Sequence, residues 1–308
     1  MRELGLLDAL WEIITPVTGP GQLGPGDDAA LISLDGPAVI SVDQTVAGVH
    51  ADLAFVSAED FGWRSVTTAL SDLAAMGCEA KAVLIALTYP SDATSEDLKS
   101  FAVGANSAAT KFGAKIYGGD VSTGGTLSAS VTVIGTPSEG IAPVSRSGAK
   151  LGDLVGITGA LGGSAGGLEL LRADATDPDG HRYRRPEARI PQGLALAKAG
   201  VTSMIDVSDG IATDAGHIGN ASGSRLHIDL TQLPIDPVCV RAAELIGTDA
   251  AELAATGGED FELLFTAPTG IAGSLEQAAD CDITWIGEVV SGDAGTNLAD
   301  AGLTGWQH

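Results

Sequence analysis

Six short acidic clusters mark where this chain could do chemistry: Gly26-Asp27-Asp28, Ser41-Val42-Asp43, Ser71-Asp72, Gly118-Gly119-Asp120, Asp206-Val207-Ser208-Asp209-Gly210 and Gly257-Gly258-Glu259-Asp260. Any one of them reads most simply as turn or cap chemistry, because Asp is depleted in strands and at home in turns and at helix N-caps. Six on one chain need a common cause. Gathered carboxylates repel unless cations lie between them. Mg2+ takes oxygen ligands and bridges carboxylates to substrate phosphates, so an acidic chain can bind a polyanion through metal ions.

Other patterns are weaker. Gly162-Gly163-Ser164-Ala165-Gly166 satisfies the G-x-S-x-G nucleophile elbow between an expected strand and helix, but it lacks supported Asp and His partners for a triad. Gly19-Pro20-Gly21-Gln22-Leu23-Gly24 fits G-x-G-x-x-G, yet Pro20 and the want of a clean following helix make it a loop. No Walker pattern occurs, so a nucleoside triphosphate would have to be held by other means. His217, on an expected helix, reads as a packing or capping residue. His50, in the same short segment as Asp43, is the better site candidate.

Hydrophobic periodicity and breaker residues supply the elements that must position these groups. Strands are expected at 37–42, 81–89, 115–117 and 127–135, with the third emptying into Gly118-Gly119-Asp120. Helices are expected at 2–14, from a capping-box-like Ser57-Ala58-Glu59-Asp60 to Met76, and at 95–112. Asp72 would then lie near a helix C-terminus. The polar stretch 137–150 reads as a domain junction, giving an N-terminal domain 1–147 and a C-terminal domain 148–308. The second half offers strands near 154–158, 226–230, 261–266 and 284–290, helices near 164–172, 188–199 and 212–222, and a charged loop over 174–185. Mixed elements in both halves give α/β and α+β layers.

With 16 Lys and Arg against 40 Asp and Glu, the chain of 308 residues carries −24, so it presents no broad positive field for nucleic acid or anionic lipid. At 44% hydrophobic and 18% charged residues it can bury real cores rather than remain disordered. No run approaches the roughly 20 apolar residues of a membrane span. The acid-bearing N-terminal segment reads as a mature amphipathic helix, and a cytoplasmic location is expected. Cys78, Cys239 and Cys281 are far apart and lack metal-ligand spacing, which makes them reduced packing residues.

Taken as a set, GPGDDAALI, SVDQTVAGVHADL, LSDLAAMG, IYGGDVSTGG, SRSGAKLGD, IDVSDGIATDAGHI, GGEDFELLFT and the final WQH resemble the thiamine-monophosphate kinase family. The matches run from near residue 24 to the C-terminus, and their specificity is collective. The resemblance implies the two-domain fold shared with aminoimidazole ribonucleotide synthetase, whose N-terminal sheet pairs across a homodimer. It implies ATP as co-substrate, several Mg2+ ions and thiamine monophosphate as acceptor. Carried over by position, Asp28, Ser41, Val42, Asp43, Asp72, Asp120, Asp206 and Asp209 are the implied metal-binding residues. The family commonly has Thr where Val42 stands, so that contact falls to the backbone carbonyl or is absent. Gly119, Asp120, Arg146 and Ser208 are the implied nucleotide contacts, and His50, Glu259 and Trp306 the implied acceptor contacts. No separate general base is implied, and no residue is assigned to the adenine.

Two other readings use the same carboxylates. One is another ATP-dependent enzyme of the superfamily, of the cyclo-ligase or selenophosphate synthetase type; the chain lacks the cysteine-bearing features of the selenophosphate and hydrogenase-maturation types. The other is a non-catalytic dimer that binds Mg2+ or nucleotide.

Overall fold

The computed structural model describes residues 10, 12–18, 22–24, 28–174 and 176–306. Most of the helix expected at 2–14, the first three residues of the Gly19–Gly24 pattern, Gly26-Asp27 and the last two residues of WQH lie outside them. The chain divides into two compact units, residues 1–73 with 79–136, and residues 74–78 with 137–308.

The first unit is built on a four-stranded sheet ordered β1-β4-β2-β3, with β1 Val39–Val46, β2 Cys78–Pro90, β3 Lys115–Gly124 and β4 Ser128–Pro137. β1 runs antiparallel to β4, and β3 parallel to β2. Among the described residues two helices accompany it, Ala58–Ala75 and Ser95–Lys111. As the sequence suggests, Ser57 starts the first: its Oγ accepts the Asp60 N–H at 3.1 Å and donates to the Asp60 carboxylate at 2.7 Å. The second begins at a full capping box between Thr94 and Asp97. Its buried residues Leu98, Phe101, Ala102, Ala105, Ala108 and Ala109 recur at helical spacing and form one face. Where the helices meet, a Cβ on Gly104 would stand 1.8 Å from the Glu59 carbonyl oxygen, and one on Gly62 would stand 2.1 Å from that of Phe101. Only glycine permits that approach.

The expectation that β3 ends before Gly118 is overturned: the strand continues through Gly118, Gly119 and Asp120, in register with Leu84, Ile85 and Ala86. The physical reason is again close approach, since a Cβ on Gly119 would lie 1.9 Å from the Ile85 carbonyl oxygen. β1 runs past the expected end at residue 42, so that Asp43 lies within the strand with Ser41 and Val42.

The second unit holds a six-stranded sheet ordered β10-β7-β9-β5-β8-β6. Its strands are β5 Leu154–Thr158, β6 Ser203–Asp206, β7 Arg225–Ile228, β8 Leu263–Ala267, β9 Ile283–Val290 and β10 Gly295–Thr296. All neighbours are antiparallel except β10 with β7. Val155, Ile157, Ile205, Leu264, Ile286 and Val289 from the sheet share a core with Ile211, Ala215 and Ile218 of the helix Ile211–Ser222. Each of the Val, Leu and Ile side chains contributes about 1.5–3 kcal/mol on full burial.

The charged segment 174–185 is more ordered than expected. It contains a 3-10 turn, Pro178–Gly180, and a short helix, His181–Arg184, tied down where Arg241 pairs with Asp177 and Asp179. The cysteines are all unpaired. Burial pushes their thiols up, Cys78 to about 11, as befits packing residues. Among the described residues no helix is long and apolar enough to cross a membrane.

Candidate active site

In the first unit, strand alternation sorts the β1 cluster. Ser41 and Asp43 are half-buried on one face, whereas Val42 is 66% exposed on the other with Ile40. An aliphatic side chain offers a cation nothing, so only the Val42 carbonyl could serve. Ser41 Oγ donates to Asp72 Oδ2 at 2.5 Å, which joins β1 to the C-terminal part of the helix Ala58–Ala75. Asp120 is exposed on β3 and accepts from Ser122 Oγ at 3.3 Å. A cavity lined by Ile85, Leu87, Phe101, Ala105 and Ile116 also reaches Gly119 and Asp120, so an apolar wall adjoins a carboxylate. His50 lies in the turn after β1, where its Nδ1 accepts the Val46 N–H at 3.0 Å. In the neutral ring that leaves the proton on Nε2. Asp28 is exposed.

In the second unit the site is organised by the turn after β6. Asp206 closes that strand and is buried. The N–H groups of Ser208, Asp209 and Gly210 all donate to Asp214 Oδ2, each at 3.1 Å. Burial, then the like charges of Asp206 and Asp209, push the Asp214 carboxyl up to about 8. The same turn is bonded outward on two sides: Glu259 donates its N–H to the Ser208 carbonyl and Trp306 to that of Asp209, both at 2.8 Å. One rigid turn therefore gathers Ser208, Asp209, Glu259 and Trp306. Met204 donates to the Ser145 carbonyl at 3.1 Å, which sets Arg146 beside the start of β6. Arg146 itself is exposed.

Asp214 is a buried carboxylate at this turn that the sequence reading did not single out. Its signal is an Asp one helical turn beyond Asp209-Gly210, placed to fold back on the N–H groups of the turn. His217 is corrected: it is exposed rather than packed, and one of its nitrogens lies within 4.8 Å of carboxylate oxygens of both Asp209 and Asp214. The nucleophile-elbow pattern carries no nucleophile, since Ser164 is 1% exposed and its Oγ has no hydrogen-bond partner. Oxygens dominate the converging donors, Ser41 with Asp72 in one unit and Asp206, Asp209 and Asp214 beside a His217 nitrogen in the other. Such a donor set fits a hard divalent cation better than a soft one.

An α/β unit with carboxylates on β1 and β3 defines a class. Residues 26–136 match the family described as AIR synthase related protein, N-terminal domain. Similarity extends well beyond that domain. A thiamine-monophosphate kinase of Escherichia coli O157:H7 is 39% identical over 266 residues, covering 83% of this chain and 80% of its own. The crystal structure of thiamine-monophosphate kinase from Stenotrophomonas maltophilia K279a aligns with a TM-score of 0.83 at 33% identity, covering 96% of each chain. A structure of AaThiL complexed with AMPPCP and TMP aligns with a TM-score of 0.80 at 28% identity, over 99% of this chain and 96% of that one. The chain belongs to the thiamine-monophosphate kinase family.

Proposed function

We propose that this protein transfers the γ-phosphoryl group of ATP to thiamine monophosphate, giving thiamine diphosphate and ADP. The similarity to thiamine-monophosphate kinases over 80% of a relative's length carries this reading, and a relative that holds AMPPCP and TMP together supports it. A phosphate oxygen of the acceptor attacks the γ-phosphorus in line as the bond to the β,γ-bridging oxygen breaks. That oxygen is already anionic near neutral pH, so no general base is required, and the main barrier is repulsion between two polyanions.

In this reading Asp28, Ser41, the Val42 carbonyl, Asp43, Asp72, Asp120, Asp206 and Asp209 hold several Mg2+ ions. Ions held by these residues would supply positive charge that offsets the repulsion between the two phosphate groups. Gly119, Asp120 and Ser208 hold the nucleotide's phosphates, and Arg146 supplies a planar fork suited to bidentate phosphate contact. The cavity beside Phe101 is the place for the adenine, because its apolar wall runs up to Gly119 and Asp120. His50, Glu259 and Trp306 hold thiamine monophosphate, with Glu259 accepting from the aminopyrimidine. Trp306, half exposed, offers its face to the thiazolium cation, a contact worth about 0.5–2 kcal/mol.

The N-terminal domain, 1–147, is the metal-binding, ATP-binding and dimerising part, and 148–308 is the α+β partner domain. A homodimer is favoured by the edge position of β1, where Ile40 and Val42 are 63% and 66% exposed. The reaction belongs in the cytoplasm. ADP release from Mg-ATP should require thiamine monophosphate, and thiamine, which offers only an alcohol, should not replace it. ADP release independent of the acceptor, or nucleotide binding without turnover, would contradict the proposal.

A further inference from the structure

Next to Glu259 lies a carboxylate that the transfer reaction does not use. Asp260 is buried, and the residues on either side of it are left-handed, Glu259 with φ 67° and Phe261 with φ 53°. Non-glycine residues rarely adopt that conformation, and two in three positions persist only where the surroundings fix them. The fixing contacts are specific. Asp260 Oδ2 accepts the Gly162 N–H at 2.5 Å and Oδ1 accepts the Ser164 N–H at 3.0 Å, spanning the glycine turn that opens the helix Gly163–Ala173. Two residues on, Glu262 is clasped by Arg189 at 2.7 and 2.5 Å and by Arg182 at 3.2 Å, and it accepts from Thr158 Oγ1 at 2.8 Å. The backbone beside these anchors is also bonded to the Ser208 turn, where the N–H groups of Glu259 and Phe261 donate to the carbonyls of Ser208 and Val207.

We propose that Asp260 is a positioning residue for the acceptor: by gripping Gly162 and Ser164 it holds Glu259 in the left-handed conformation that presents its side chain to thiamine monophosphate. This rests on the assignment of Glu259 to that substrate. The glycine-rich Gly162–Gly166 segment then has a role that its sequence pattern misstates, as the socket for an aspartate rather than as a nucleophile elbow.

Asp260→Asn tests the inference, because an amide of the same shape has one acceptor oxygen and must lose one of the two N–H bonds. The KM for thiamine monophosphate should rise about tenfold or more, while that for ATP stays within about twofold. In a Glu259→Gln background the same substitution should add little, the non-additivity expected when one residue acts through another. If Glu259→Gln leaves the KM for thiamine monophosphate unchanged, the assignment of Glu259 fails and takes the role of Asp260 with it. If Glu259→Gln raises that KM and Asp260→Asn does not, or raises both KM values alike, the positioning inference alone is overturned. Should Asp260→Asn not fold, amide exchange in the unaltered protein decides: Gly162 and Ser164 should exchange slowly, and exchange at the rate of an open loop would overturn the proposal.

Discussion

Asp120 shows how a residue's setting separates chemistry from stability. It is exposed on β3, so replacing it with Asn removes a charge without opening a core. Asp120→Asn should lower the rate at limiting Mg2+ by about a hundredfold or more, with an effect on stability within about 0.5 kcal/mol. An unaltered Mg2+ dependence would remove Asp120 from the metal set. Asp260 makes the opposite case. Burial raises its carboxyl from the ordinary 3.8 to about 7, against the pull of Arg182. Between those values the folded form binds a proton that the unfolded form has released, so this group's contribution to stability is full below about pH 4 and is lost as pH rises towards 7. The slope is at most about 1.4 kcal/mol per pH unit. Denaturant unfolding of metal-free protein across that window should show stability falling with pH, and Asp260→Asn should flatten the fall; an unchanged slope would contradict the assignment. The acidic clusters stand out in the sequence because one residue type recurs, mostly beside glycine. Asp214 does not, because its importance lies in three N–H groups that only the folded turn aims at one oxygen.

At the level of elements, the helices Ala58–Ala75 and Ser95–Lys111 carry the framework of the first unit, and their packing turns on two glycines. Gly104→Ala would drive a methyl group into the Glu59 carbonyl and should destabilise the protein by about 1–3 kcal/mol, an overpacking cost. Thermal or urea unfolding measures it, and a neutral result would mean that the helices do not meet there. Strands with clean alternation or continuous apolar runs were legible in the sequence: 154–158 coincides with β5, and 81–89 lies inside β2. The full length of β3 is hidden because Gly118-Gly119 reads as a turn, when Gly119 is there to let two strands approach. The helices Pro237–Ile246 and Ala250–Thr256 escaped a reading of hydrophobic period although their caps are in the sequence. Asp236 accepts the Val238 N–H ahead of a first-turn proline, and Asp249 accepts from Ala251 and Glu252. Both helices are short and the second is alanine-rich, so end signals outweigh period.

Over the whole molecule, a charge of −24 works against compactness until cations offset it. Added MgCl2 should raise the thermal midpoint more than NaCl at equal ionic strength, since screening is shared but site binding is not. Equal shifts would leave only screening. The collective motif pattern was legible from the chain, whereas the backbone ties joining Ser208 to Glu259 and Asp209 to Trp306 were not, because residues that far apart in sequence meet only once the second unit has folded. The chemistry is one event, the passage of a phosphoryl group from ATP to a thiamine phosphate. The most direct measurement is the fate of a label placed in the γ-phosphate of ATP, followed with Mg2+ and thiamine monophosphate present. The label is expected in the terminal phosphate of thiamine diphosphate, with unlabelled ADP formed in equal amount. Label recovered only as inorganic phosphate, or retained in ATP bound to the protein, would contradict the assignment.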